Sequence, residues 1–445
     1  MKNKETALVI LSLLSLTACS SVSNIFSPVD KTSKLEGERI SVLELQKDLS
    51  VDTQLRGESI ILPQAWNNQS WPQAGGFPTH AMQNLSFSKE PPQKLWSTEI
   101  GQGSSTGLPL NAPPIVAEGK IFTLDARARL SAFNAETGKE LWSIDISSKK
   151  EKEHVITGGI SHAHNTLFVT NGHGEAMALS PLDGSLIWRK NLPASSRAAP
   201  SILSGKVYIS TIDSRLIALN AKDGAGLWEY HGTGETAGLF GAASPAVNHD
   251  VVIAAFSSGE ITALRVENGA VIWSENLSAV NTTGSGLTSL SDIKAMPVIT
   301  QGLVIAMSYG GKIAAIDERT GARIWQREIS GTRTPWVAGK MMFVLSSENQ
   351  LIGMNTQSGA IFWIEQLAQF EDEKRKKHPV KWSDPILAEG RIILAGSHGQ
   401  MIEVNPNNGK IIHAAQTKQN IRLSPALANQ TLYLLSEDGR LTAYR

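Results

Sequence analysis

Two histidines, His162 and His164, stand two residues apart, with His154 and His173 nearby. Neutral imidazoles at that spacing, on one face of a strand, can ligate zinc or copper. No carboxylate shares their frame, so the pair is read as part of a polar strand and no metal is assigned. A second candidate is Gly232-Thr233-Gly234-Glu235-Thr236-Ala237, whose G-x-G-x-x-A spacing can cradle a pyrophosphate on backbone amides. That chemistry requires a strand before the glycines and a helix after them. Here strand patterns lie on both sides. The charge cluster Glu371-Asp372-Glu373-Lys374-Arg375-Lys376-Lys377 reads as a solvated loop. The sequence therefore assigns no catalytic residue, no metal and no cofactor.

The chain has 445 residues and a single thiol, Cys19. One cysteine excludes an intramolecular disulfide, a cysteine-based zinc site and a haem-attachment motif. Lys2 and Lys4 precede an apolar run over 7–16 that is too short to span a bilayer, and the run ends at Leu16-Thr17-Ala18-Cys19. This resembles the bacterial lipobox, in which the cysteine is acylated and becomes the first residue of the mature chain. Several acyl chains on one residue would hold a soluble domain on a lipid surface. Ser20 stands where an aspartate resembles inner-membrane retention, so the expected location is the periplasmic face of the outer membrane. Residues 1–18 are then a signal peptide, 19–62 a partly disordered tether rich in Ser and Lys, and 63–94 a lead-in segment.

Composition narrows the partners. Lys and Arg total 41, and so do Asp and Glu, giving no net charge. Without a basic surplus there is little phosphate neutralisation to support nucleic-acid binding. Hydrophobic residues at 41% and charged residues at 18% describe a folded chain with a large core.

The elements that must position any functional residue come from a repeat. Tryptophan recurs at Trp96, Trp142, Trp188, Trp228, Trp273, Trp325 and Trp363, and His413 takes the next slot. From Trp142 onward each follows a glycine by four residues (Gly138, Gly184, Gly224, Gly269, Gly321, Gly359, Gly409). Twenty-eight residues before the slot stands Pro114, Pro200, Pro245, Pro297, Pro335 or Pro385, with Ile160 in the second repeat. Within each unit proline opens a strand, and a Gly turn leads to a β-rich run such as Lys206-Val207-Tyr208-Ile209. An alternating strand such as 215–219 follows, then a turn at Asp223-Gly224 and a last strand ending in Trp. Four short strands per unit are the anatomy of a propeller blade. A final unit starts at Pro425 and lacks its fourth strand, which Lys94-Leu95-Trp96-Ser97 supplies from the other end. The expected fold is all-β: an eight-bladed propeller over 95–445, its ring closed by an N-terminal strand in the last blade. The Trp residues serve as structural wedges between blades.

The frame Ala-x-(Asp/Asn)-x-x-(Thr/Asp)-Gly-x-x-x-Trp, fullest at 132–142 and 315–325, is similar to the tryptophan-docking repeat of PQQ-like eight-bladed propellers. Two classes share it, the PQQ-dependent dehydrogenases and the B-subunit lipoprotein family of the outer-membrane β-barrel assembly machinery. The chain resembles the second more closely. It is a free-standing propeller of the right size with a lipobox, and it carries Leu290-Ser291-Asp292-Ile293 ahead of Pro297-Val298. In that family the Leu-Ser-Asp loop helps dock the POTRA domains of the barrel-insertion subunit. Gly234, Glu235 and Thr236 resemble part of a second docking stretch, although the family's two Leu and Arg are replaced by Tyr230, Gly232 and Thr233. The resemblance implies a non-enzymatic scaffold. Its partners would be the barrel-insertion subunit, nascent outer-membrane proteins and outer-membrane lipid. The alternatives are a PQQ-dependent dehydrogenase and a periplasmic scaffold with another partner.

Variation in spacing points to the same region. Segments linking one Trp slot to the next proline slot vary while the 28-residue core does not, so they belong on one rim. The longest is 274–296, followed by 364–384. Connectors of such length are generally functional.

Overall fold

The second and third strands of every unit are rich in apolar residues, which fits strands covered on both faces. In the computed structural model, which describes residues 49–53, 60–147, 156–234, 242–278 and 292–445, that is their position. Blade 3 shows the pattern. Its strands Ser201–Leu203, Lys206–Ser210, Arg215–Asn220 and Gly226–His231 pair antiparallel in sequence order. Leu216, Ile217, Ala218 and Leu219 are all buried. The alternation expected over 215–219 is absent because neighbouring blades cover both faces of that strand. Only the outer strand alternates.

Seven sheets are built from consecutive strands. The eighth takes Ala426–Ala428, Thr431–Leu435 and Arg440–Tyr444 from the C-terminus and Lys94–Glu99 from the N-terminus. Gln93 and Arg445 exchange backbone hydrogen bonds of 2.8 and 2.9 Å beside this pairing. The ring is closed as the sequence predicts. The cluster at 371–377 is not a plain loop. It forms the tip of a two-stranded hairpin, Phe370–Asp372 with Lys377–Pro379.

Tryptophan joins the blades through a fixed geometry. A bulge lies beside the paired slot residue of each fourth strand, as at Ala218 and Trp228, with Gly353 opposite Trp363 in blade 6 and Glu403 opposite His413 in blade 7. The ring then lies on the slot glycine of the following blade. A Cβ on Gly409 would stand 2.4 Å from the Trp363 ring, and one on Gly138 would stand 2.4 Å from Trp96. Both glycines have φ near +70°, which favours glycine independently. The indole N–H donates to the carbonyl three residues before that glycine. Trp188 reaches Ala221 at 2.9 Å, Trp273 reaches Glu318 at 2.7 Å, Trp325 reaches Thr356 at 2.8 Å and Trp363 reaches Pro406 at 2.7 Å. Trp96 differs. The corresponding carbonyl, Ala135, accepts from the Tyr433 hydroxyl at 3.3 Å, and the Trp96 N–H has no partner among the described residues.

The lead-in segment is built into the propeller. Its residues bond to the inner strand region of every blade in turn. Asn429 N–H donates to Asn68 O at 2.7 Å in blade 8, and Trp71 exchanges bonds with Val116 in blade 1. Pro72 O accepts from His162 N–H in blade 2, and the Gln73 amide bonds both ways with Ile202 in blade 3. Pro78 O and Thr79 O accept from Val247 and Ile299 in blades 4 and 5, Gln83 N–H donates to Val337 in blade 6, and Leu85 N–H donates to Leu387 in blade 7. A parallel bridge from Trp66 to Leu85 completes the circuit. Trp71 stacks on Trp336 with ring centroids 6.2 Å apart. The compact unit begins at Ser50, so the last residues of the expected tether belong with it. Asp52 N–H donates to Ile361 O at 3.0 Å on the outer strand of blade 6, and the Asp52 carboxylate accepts the Ile361 N–H at 2.7 Å.

The docking geometry makes a direct prediction. Trp363→Ala removes a ring that is 6% exposed together with its bond to Pro406, and it should cost about 3–5 kcal/mol as a large-to-small core change. Gly409→Ala should destabilise the same joint from the other side. Chemical denaturation of the purified chain measures both, and midpoints unchanged from wild type would refute the wedge.

Candidate docking face

Strand direction decides which segments meet. With four antiparallel strands per blade, every connector from an outer strand to the next inner strand emerges on one face, alongside the turns between second and third strands. The connectors at 232–245 and 277–297 flank blade 4, whose turn at 256–259 rises between them.

That turn meets the described flanks of both stretches singled out by sequence. Tyr230 stacks on Phe256 at 6.1 Å, and a Cβ on Gly232 would meet the Phe256 ring at 2.8 Å. On the other side Ile293 N–H donates to Phe256 O at 3.3 Å, and Leu277 N–H donates to Gly259 O at 2.9 Å. Glu260, 7% exposed, anchors the assembly. Its carboxylate accepts the Tyr230 hydroxyl and the Thr233 N–H, both at 2.7 Å, and the Thr262 hydroxyl at 2.8 Å. Burial pushes its pKa up, but these hydrogen bonds outweigh burial and hold it below the ordinary carboxylate value.

The individual residues fall in different settings. Gly234 is exposed, with open space around it. Asp292 is only 4% exposed, and its carbonyl accepts the Tyr309 N–H at 2.9 Å. It therefore roots the long connector. Leu290, Ser291, Glu235 and Thr236 lie outside the described residues, as do Cys19 and His154. Glu260 carries no distinguishing mark in the sequence. Thirteen residues before every Trp slot stands a polar residue (Arg129, Glu175, Arg215, Glu260, Lys312, Gln350 and Gln400 before Trp142 through His413), and only packing distinguishes one from another.

His162 and His164 are separated by the fold. The strand Ile160–Ala163 ends before His164, which sits with Asn165 in the two-residue turn at φ of 49° and 53°. His162 is buried, stacks on Phe122 at 6.3 Å and lies 3.4 Å from the Glu118 carboxylate. Burial lowers its pKa against that carboxylate. Among the described residues no group of three or more His, Cys, Asp or Glu is placed to share a metal ion. The G-x-G-x-x-A stretch starts from an outer propeller strand, Gly226–His231. No helix follows it among the described residues.

A family profile described as "Outer membrane protein assembly factor BamB" matches residues 85–159 and 147–365. The BamB of Yersinia pestis is 26% identical over 359 residues, covering 79% of this chain and 88% of that protein. An uncharacterized protein of Rickettsia conorii is 30% identical over 339 residues, covering 74% and 81%. The crystal structure of BamB from Moraxella catarrhalis superposes with a TM-score of 0.68 at 22% identity, covering 80% of this chain and all of that one. The quinohemoprotein alcohol dehydrogenase of Comamonas testosteroni reaches 0.67 at 11% identity, covering 88% and 82%. These two structures share the fold.

Glu260 supplies the test of this face. Its depressed pKa means that the stability it contributes is fully present above the ordinary glutamate value of 4.5 and is lost as pH falls through the lower folded value. Glu260→Gln should cost about 1–3 kcal/mol at neutral pH by weakening the charged hydrogen bonds. It should also flatten the acid side of the stability profile. Denaturation midpoints measured from pH 7 down to pH 3 check both effects.

Proposed function

The chain belongs to the outer membrane protein assembly factor BamB family, and from that premise we propose that it acts as a non-catalytic scaffold in outer-membrane protein assembly. Acylated Cys19 anchors it to the outer membrane on the periplasmic side. The connectors on either side of blade 4 dock the POTRA domains of the barrel-insertion subunit. The observation that carries this reading is the convergence of both stretches on the 256–259 turn: Thr233 and Ile293, far apart in sequence, are bonded to Glu260 and Phe256 of one hairpin. A rigid base of this kind presents connector residues with little ordering cost on binding.

A role in handling nascent barrel strands is supported by the blade edges. The bulge residues Leu95, Leu141, Ile187, Leu227, Ile324 and Ile412 are 43–53% exposed on outer strands. Asp52 of the chain already pairs with such an edge at Ile361. Extended peptides add to open edges in the same way. A dehydrogenase reading has less support, since the sequence assembles no set of calcium ligands for a PQQ site.

Gly234→Arg is the cleanest probe of docking, because the position is exposed and unobstructed. Recovery of the barrel-insertion subunit from solubilised envelopes should fall several-fold with thermal unfolding unchanged. Lys222→Glu, in an exposed turn between third and fourth strands on the opposite face, should leave it intact. Asp292→Arg should also reduce recovery, but it places a guanidinium in a buried site and so must be read beside its unfolding curve. Equal recovery of Gly234→Arg and wild type would remove the second docking stretch from the interface. Cys19→Ser should move the chain from the outer-membrane fraction to the soluble periplasm.

A further inference from the structure

A cavity of about 120 Å³ is lined by residues just ahead of the inner strands, where the connectors end. Ala74 of the lead-in segment contributes to its floor. Beneath lies His80, which is 4% exposed and bonded through Nδ1 to Pro297 O at 2.7 Å. Burial lowers the His80 pKa to about 4, so the floor carries no charge at neutral pH. The wall holds Arg197, Lys294 and Arg333 and one carboxylate, Asp384. Asp384 is already engaged: Oδ2 accepts the Ser424 hydroxyl at 2.6 Å, and Oδ1 lies 3.7 Å from Arg333 Nη1. Among the described residues no hydrogen bond or ion pair reaches the Lys294 ammonium. Asp292 and Asp384 act on it only across a distance, and burial together with Arg333 lowers its pKa.

We infer that this axial cavity is a binding site for a carboxylate, received between Lys294 and Arg333. Lys294 is half-buried in the cavity wall beside two arginines, and an ammonium held there with no bonded partner favours the arrival of a counter-charge. A planar carboxylate can accept from the Arg333 fork and from the Lys294 ammonium together. A more highly charged oxyanion would meet Asp384 in the same wall. Met296 and Leu423 add apolar surface to a wall that also holds Ser244, Thr332 and Thr334, which leaves room for a short aliphatic group behind the carboxylate. The carboxylate belongs either to a free small acid or to the C-terminus of a polypeptide. The inference does not depend on POTRA docking and is measured without any partner.

Saturation-transfer NMR on the detergent-solubilised full chain tests it with two probes at matched ionic strength. One is propionate. The other is N-acetyl-trialanine as the free acid, with its amide as control. The expected result is saturable binding of at least one acid and none of the amide, weakened tenfold or more in Lys294→Met and in Arg333→Gln but not in Lys222→Met. Binding of propionate assigns the site to free acids. Binding of the peptide acid alone assigns it to polypeptide termini. Thermal unfolding of each variant separates a lost site from a lost fold, and Arg333→Gln serves if Lys294→Met does not fold. Failure of both acids to bind wild type, or equal binding by the two folded variants, overturns the inference. Loss of POTRA recovery with carboxylate binding intact would bear on the docking reading alone.

Discussion

Everything in this molecule depends on an indole from one blade lying on a glycine of the next. Four strands make a sheet with two apolar faces, and neither face can be left in water. The ring covers the joint, and its N–H satisfies a carbonyl that the turn leaves unpaired. Glycine is needed opposite because a Cβ would stand within 2.4–3.0 Å of the indole. The repeat pairs a Gly and a Trp within each unit of sequence, yet the physical pair is made between consecutive units.

The ring is finished by two devices of different kinds. The N-terminal strand completes the eighth sheet, where Trp96 meets Gly138 while Tyr433 takes the carbonyl that other indoles use. The joint between blades 7 and 8 has no tryptophan, since its slot holds His413 and the corresponding glycine position is Pro92. Nearby, Arg391 bonds Ser88 O in the lead-in segment and the buried Glu403 carboxylate. The lead-in segment adds a second closure by touching all eight inner strand regions. It also reaches the axis, where Ala74 lines the cavity.

The two faces of the ring do different work. One face is short turns, including two-residue turns with positive φ that admit little variation. The other carries the connectors, whose lengths are free because they leave the docking geometry untouched. The proposed docking stretches and the axial cavity both lie there, linked through the 292–294 segment. Asp292 roots the connector while Lys294, two residues on, lines the cavity.

The sequence by itself determined the blade number and the strand that closes the ring. These follow from period: Gly, Trp and Pro recur at fixed offsets because each offset is one local geometry repeated. It also marked Asp292 and Gly234, through their likeness to a family frame. Tertiary structure decided what those residues are. Asp292 is buried, Gly234 is open, and Glu260 ties the root of their neighbourhood together from a slot that is polar in every repeat. His162 and His164 looked like a pair until a turn separated them. The path of residues 66–87 around the axis was illegible for the same reason. Its partners are backbone groups on eight separate strands, and a contact made through backbone leaves no mark on side-chain pattern.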